Sequence, residues 1–418
     1  MEITHLAHSN TVGGAANYLR RVIDSLDLVG IENKLLASAL KPNNIDTHFF
    51  RSNTGNRKIN YLIAKLCQTL DRNFRILEKT SRYTYKSPNF IGAVHAKKLN
   101  QSKADLIHLH WVNGGLISIR QIGKINKPIV WTMLDMWPFL GAEHYLSESE
   151  SSRFVDGYLK VNRPSGDRGL DLSKMAWDLK KVYYKKFYLI SPSTWLANKS
   201  RKSFLFKNMN LEIIPPPIDL NIFSPIPKKL ARLKLKLDPN KFMVGYAGGI
   251  SGRKGWEIVQ KIYNNSKQWQ DWHYLFAGET NEIYSKFINN SDRSTFVGKL
   301  FTSNELVSFY SSLDVLLVPS TEEAYGLVAQ EAQACGTPVI VFEDTGPADI
   351  VEDHKTGYVV EKNSTEAIIN SLESLYSKDN SDKTKMFIES RSRANKLWNF
   401  EVIGNMHLQY YNKILSDK

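Results

Sequence analysis

Short, uninterrupted apolar runs recur along this chain, with longer amphipathic or polar stretches between them. Residues 3–6 predict a strand, a Gly-Gly turn follows, and residues 16–28 carry the period of a helix. Residues 34–37, 104–111, 128–133, 188–192 and 211–214 predict further strands, and residues 57–100 a basic helical region. After an extended, proline-rich stretch at 214–225 the alternation restarts. Strands are predicted at 242–247, 273–277, 295–297, 314–318 and 339–342, with a helix over 327–334 that Gly336 and Pro338 stop. The last segment, 400–415, is helical in pattern. Buried strands alternating with helices predict parallel, doubly wound sheets, so the fold class is α/β with two such domains. The expected bounds are 1–223, a linker at 224–240, and 241–399. Residues 146–172, polar and rich in Ser and Gly, read as a mobile loop.

Composition agrees with two domains of ordinary size. The chain has 418 residues, 42% of them apolar and 11% aromatic. No run approaches the roughly 20 apolar residues of a membrane-spanning helix, and the start at Met1 has no basic stretch ahead of an apolar one, unlike a signal peptide. Cys67 and Cys335 are the only cysteines and lie far apart, which points to a reduced compartment, hence the cytoplasm, without a disulfide framework.

The net charge of +13 changes the picture because it is uneven. Residues 1–223 hold 32 Lys and Arg against 18 Asp and Glu; residues 224–418 hold 23 against 24. Residues 51–103 alone hold 12 basic side chains and two acids, Asp71 and Glu78, interleaved with Tyr61, Leu62, Leu66, Leu70, Phe74 and Leu77 at helical spacing. A second basic run, 174–202, includes Lys180, Lys181, Lys185 and Lys186. Two readings are open: an amphipathic surface that meets anionic headgroups or a lipid-diphosphate acceptor, or a solvated helix face whose apolar side is core. No nucleic-acid-binding motif accompanies the charge, so no nucleic-acid partner is expected.

The candidate chemistry concentrates at 319–340. Glu323 stands at the mouth of the helix predicted after the 314–318 strand, and Glu331 on its body. A helix N-terminus after a buried strand offers unpaired N–H groups and partial positive charge to a phosphate, while carboxylates accept hydrogen bonds from hydroxyls. Phosphate beside hydroxyls is what a nucleotide sugar presents. Residues 247–255 place glycines, Arg253 and Lys254 after the first strand of the second domain, where fixed cations can stabilise a departing diphosphate. Gly13 and Gly14 open the first helix, where bare backbone can approach a diphosphate. His108 and His110 share one face of a strand that ends beside Trp111, and Asp135 follows the next strand in an aromatic loop.

The string from 319 to 340 resembles the E-x7-E signature of family 4 retaining glycosyltransferases, which have the GT-B fold of two Rossmann-like domains facing a cleft. The resemblance implies that Glu323 touches the donor sugar and Glu331 the nucleotide's ribose. It implies that Tyr325, Gly326 and Leu327 lie at the donor, that Gly13, Gly14, Gly249, Arg253 and Lys254 face its phosphates, and that His110 and Asp135 lie near the reacting groups. Gly249 stands where the family commonly has arginine, so Arg253 would take that role. Trp131 to Trp137 resembles the pattern of colanic-acid and exopolysaccharide transferases, with Leu134 in place of their histidine; His144 and Tyr145 match that subgroup's acceptor-side pair.

The implied activity is transfer from a nucleotide diphosphate sugar, UDP before GDP, to an oligosaccharide or lipid-linked saccharide in bacterial surface polysaccharide synthesis. It implies no metal and no other cofactor, an acceptor-binding first domain on which the 400–418 helix packs back, and peripheral contact of 51–103 and 174–202 with the anionic inner membrane. The strings at 345–351 and 355–360 read as structural. A catalytically weak nucleotide-sugar-binding paralogue is the alternative, and a nucleotide-sugar epimerase is disfavoured.

Overall fold

A computed structural model describes residues 1–9, 13–39, 57–79, 85–146, 152–249, 251–279 and 292–417, with backbone alone at 38–39 and 57–61. Residues 51–56 and 80–84 of the basic run, 147–151 of the polar loop, and Ile250 lie outside the described residues. The chain forms two compact units, one of Met1–Pro215 with Ile403–Lys418 and one of Pro216–Val402.

The first unit contains β1 (Glu2–Ser9), β2 (Glu32–Ala39), β3 (Glu78–Lys79), β4 (Leu106–Leu109), β5 (Ile129–Thr132), β6 (Arg168–Gly169), β7 (Tyr188–Ser191) and β8 (Asn210–Ile213). Six of these make a sheet in the order β2-β1-β4-β5-β7-β8, every pair parallel. Apolar runs such as Leu106–Leu109 and Ile129–Thr132 are buried residue for residue, which a sheet covered on both faces requires. The helix Phe400–Ser416 completes this core. Its Ile403, Tyr411 and Ile414 join Ile3, Val22, Leu106 and Val130, and the Tyr411 hydroxyl meets His108 Nδ1 at 2.8 Å.

The second unit contains β9 (Phe242–Ala247), β10 (Trp272–Ala277), β11 (Ser294–Phe296), β12 (Val315–Val318), β13 (Val339–Phe342) and β14 (Gly357–Val360) in the order β11-β10-β9-β12-β13-β14. Its pairs are also parallel. This is the order of a nucleotide-binding Rossmann sheet, whose strand order reverses between β9 and β12.

Three expectations are corrected. Residues 224–240 are not a linker. Within them Lys228–Lys234 is helical, and Arg232 donates to the carbonyls of Ser312, Pro239 and Lys241 and to the carboxylate of Asp314 at 2.6–3.0 Å. Pro225 and Pro227 break the chain locally, but this arginine fastens the short helix after them to the second unit. The boundary accordingly falls at Pro215 rather than 223, and Arg391 holds the carbonyls of Leu220 and Phe223.

The region 57–100 is not one helix. It runs as the helix Arg57–Asn73, a 3-10 turn and β3, and the described residues resume at Tyr85 in a stretch without helix that leads to the short helix Ala96–Asn100. Nor are the described residues 152–172 a free loop. Arg153 is buried against Asp171 at 2.6 Å and over the Tyr158 ring at 4.3 Å, and β6 pairs antiparallel with β3.

The last helix lies so close to the first that a Cβ on Gly404 would sit 2.3 Å from the carbonyl of Ser25. Gly404→Leu should therefore force the two helices apart, at about 2 kcal/mol. Thermal unfolding should show this as a fall in Tm of roughly 4–8 °C.

Candidate functional site

Two loops leave the carboxyl ends of β9 and β12, the strands that flank the reversal of the second sheet, and open α/β sheets bind ligands at that position. The first is glycine-rich and closes as a 3-10 turn, Gly252–Lys254, before the helix Trp256–Asn265. The second runs from Pro319 to Gly326 and enters the helix Leu327–Ala334. They are locked face to face. Gly255 has φ 74° and packs so tightly that a Cβ would lie 1.9 Å from the carbonyl oxygen of Pro319, so only glycine fits. Thr321 N–H donates to the Arg253 carbonyl at 2.9 Å, and Gly346 N–H to the Glu323 carbonyl at 2.9 Å.

This clamp brings together the charges that the sequence separates by seventy residues. Arg253 Nη1 donates to Glu323 Oε2 at 3.2 Å and to the Glu322 carbonyl at 2.7 Å, and Lys254 Nζ bonds the same Oε2. Burial alone would push the Glu323 carboxyl up; Lys254 and Arg253 outweigh it and hold the carboxyl below its ordinary value of 4.5. Two cations thus converge on one anion beside bare backbone. Among the described residues, nothing lies within 4 Å of where a Cβ would stand on Gly248, Gly249 or Gly252.

Gly326, at φ 96°, starts the helix Leu327–Ala334 with no side-chain cap, and a Cβ there would meet Pro347 at 2.8 Å. The other candidates of this loop turn inward. The Tyr325 ring is core and its hydroxyl meets Gln330 Nε2 at 3.3 Å, so only its backbone can face a ligand. Leu327 is half-buried against the same core. Glu331 is buried one turn into the helix, where its Oε2 accepts from the Tyr310 hydroxyl at 2.8 Å. A cavity of about 610 Å³ in this unit is lined by Phe242, Asp314 and Pro338 at the amino ends of the strands, the opposite edge from these loops.

In the first unit Gly13 follows β1, His110 follows β4 and Asp135 follows β5, again at carboxyl ends. Gly13 (φ 93°) starts the helix Gly14–Leu28, with no described residue within 4 Å of its Cβ position. His110 is buried. Its Nε2 meets His5 Nδ1 at 3.0 Å, His5 Nε2 meets Asn33 at 2.9 Å, and His108 spans Thr132 and Tyr411. Burial lowers His5 to about 4 and puts His108 and His110 well below their ordinary value, so all three are neutral at pH 7. One nitrogen from each lies within 4.8 Å of the other two, but five of the six ring nitrogens already have hydrogen-bond partners, so the trio reads as a network rather than a metal centre.

Asp135 is likewise enclosed. It accepts from Trp111 Nε1 at 3.0 Å, from Trp137 N–H at 2.9 Å and from His144 Nδ1 at 2.6 Å, while His144 Nε2 meets Ser87 Oγ at 2.8 Å. In this structure Asp135 positions the aromatic loop and the His144 ring. Leu134 packs against the first unit's core. The sequence gives no sign of Ser87 or Tyr310, which no motif marks. Its basic run also suggests a surface at Lys180, whereas Lys180 is fully buried, donating to the carbonyls of Trp137, Leu140 and Gly141 with its ammonium 3.6 Å from the Trp137 ring.

Residues 227–393 match the family model of glycosyl transferases group 1. Over most of its length the second unit is therefore similar to glycosyl transferases group 1. D-inositol 3-phosphate glycosyltransferases from Paenarthrobacter aurescens and from Mycobacterium sp. strain KMS are each 30% identical, over 175 and 178 residues. These stretches are 40% of this chain and 43% and 40% of the relatives, so the chain spans about two-fifths of their length.

Solved structures match over nearly the whole chain. Sucrose-phosphate synthase from Thermosynechococcus elongatus has a TM-score of 0.67 at 20% identity with full coverage of both chains. Anabaena HepE in complex with UDP and glucose has 0.63 at 15%, covering 99% and 100%. WaaG, a glycosyltransferase of lipopolysaccharide biosynthesis, has 0.63 at 14%, covering 97% and 98%. The fold is GT-B, two Rossmann-like domains.

A carboxyl depressed on folding adds stability that is complete above its unfolded value and is lost as pH falls through the folded one. Glu323→Gln should therefore lower stability in urea unfolding at pH 7, by roughly 1 kcal/mol at most because both cations are partly exposed. The difference from the parent should close as pH falls below about 4.5.

Proposed function

We propose that this protein is a metal-independent, retaining glycosyltransferase that moves a sugar from a nucleotide diphosphate sugar to a saccharide hydroxyl, on a lipid-linked acceptor of bacterial surface polysaccharide at the cytoplasmic face of the membrane. The observation that carries the reading is the convergence of Arg253 and Lys254 on Glu323 at the reversal of the second sheet. In the donor complex the two cations take the diphosphate, Glu323 turns to the sugar hydroxyls, and Glu331 meets the ribose. The bond from the sugar's anomeric carbon to the diphosphate oxygen breaks while the acceptor oxygen bonds that carbon on the same face. The acceptor's proton passes to the departing phosphate, so no protein base is required. Charge grows on the diphosphate as the bond opens, and fixed cations stabilise that state more than the ground state.

The fold neighbour HepE is complexed with UDP and glucose, and the relatives are named for D-inositol 3-phosphate; UDP-glucose and inositol phosphate are thus a first donor and one acceptor to assay. A second reading, a nucleotide-sugar-binding partner of weak activity, draws on Leu134, an apolar residue packed on the core where related transferases carry histidine. Slow release of nucleoside diphosphate from the donor without acceptor separates the two, since only an active transferase hydrolyses it.

Two outcomes test the proposal. One nucleoside diphosphate among UDP, GDP, ADP and dTDP should raise Tm in EDTA by mass action. Lys254→Ala should lower kcat by about 100-fold or more with folding intact. A full Tm response with unchanged turnover in that variant would remove the diphosphate assignment.

A further inference from the structure

The helix Arg57–Asn73 is mounted the wrong way round for a water-soluble surface. Its packed side is small and polar. Asp71 is buried and accepts from the backbone N–H groups of Asn89, Phe90 and Ile91 at 2.9–3.4 Å, and Cys67 and Gln68 press on Gly115, where a Cβ would lie 2.5 Å from the Gln68 nitrogen. Its leucines face out. Leu62 is 61% exposed, Leu66 58% and Leu70 43%, in register on one stripe, and the following turn adds Ile76 at 76%.

The sheet β3–β6 extends this edge. Leu170 N–H donates to the Leu77 carbonyl at 3.0 Å, and both side chains are exposed. Arg163 bonds the Gly169 and Leu170 carbonyls, two residues after Val161, which is 90% exposed.

The charges of the stretch follow the same inversion. Residues 57–79 contain six Lys and Arg and two acids. Asp71 is the first acid; Glu78 is the second, buried in an ion pair with Lys86 at 2.8 Å. Both acids point inward, while Lys65, Arg72 and Lys79 are exposed. Among the described residues 62–79, a leucine ridge whose exposed charges are all cations matches the boundary between anionic headgroups and acyl chains. Pairing with a second copy would instead appose like charges on a chain of net charge +13.

We propose that this leucine ridge, from Leu62 to Ile76 with Leu77, Leu170 and Val161 beside it, docks the first unit onto an anionic lipid bilayer. The surface deepens the membrane-side part of the function above and is independent of the transfer chemistry. The full chain should co-sediment with vesicles of phosphatidylcholine containing about one-third phosphatidylglycerol, bind vesicles of phosphatidylcholine alone at least tenfold more weakly, and lose affinity as salt rises. Leu66→Glu with Leu70→Glu should lower that binding at least tenfold at unchanged Tm, and so should Lys65→Glu with Arg72→Glu.

Equal binding to neutral vesicles, or full binding by both variants, would overturn the proposal. So would a parent that ignores vesicles but sediments as a dimer that the leucine variant makes monomeric, which would give the ridge to a second copy. The Tm response to UDP, GDP, ADP and dTDP is read in the same samples. Its absence with vesicle binding intact removes only the transferase reading; its presence without vesicle binding removes only this surface.

Discussion

The structure of the candidate site depends on one electrostatic arrangement: a carboxylate, Glu323, held by two cations that come from a different loop. Each loop alone is ordinary. What joins them is the sheet order, which sets β9 beside β12, and the absence of a side chain at Gly255, which lets one turn rest on the Pro319 carbonyl. A Cβ at that glycine would separate the loops, and the charges would relax into solvent. In the proposed donor complex a diphosphate takes the electrostatic position that the Glu323 carboxylate holds between Lys254 and Arg253.

The first unit is organised differently. Its carboxyl-end residues are knit into closed networks, His5–His110 with His108 on one side and Asp135–His144–Ser87 on the other. Neutral histidines and a thrice-bonded carboxylate make this edge rigid. The same unit carries positive charge on the outside, along a helix whose leucines find no core. Buried Lys180, caged by three carbonyls under the Trp137 loop, shows that a basic run in a sequence need not be a basic surface.

Much of the fold is legible in the sequence because parallel sheets covered on both faces write themselves as apolar runs. The elements at 242–247, 327–334 and 339–342 fall on the residues their patterns predict. Glu323, Arg253 and Lys254 are legible as a motif, but their contact is not, since it follows from strand order and from the packing of Gly255. A linker at 224–240 is the wrong expectation because prolines mark a break without saying what lies beyond it; the Arg232 bonds to Ser312 and Asp314 are long-range. The inverted helix is half legible. The spacing of Leu62, Leu66 and Leu70 shows amphipathicity, but which side faces the core is decided by Asp71 reaching the backbone at Asn89–Ile91, which no periodicity records.

If Glu323 holds the cations that a diphosphate will take, removing its charge should open their place to the ligand. Isothermal titration of UDP into the parent and into Glu323→Gln, without metal, measures this. The neutral glutamine should free Lys254 and Arg253, so that UDP binds the variant several-fold more tightly, with a steeper salt dependence. Weaker binding by a folded variant would mean that the carboxylate organises the cations for the ligand rather than occupying its place, and would contradict the position proposed for the diphosphate.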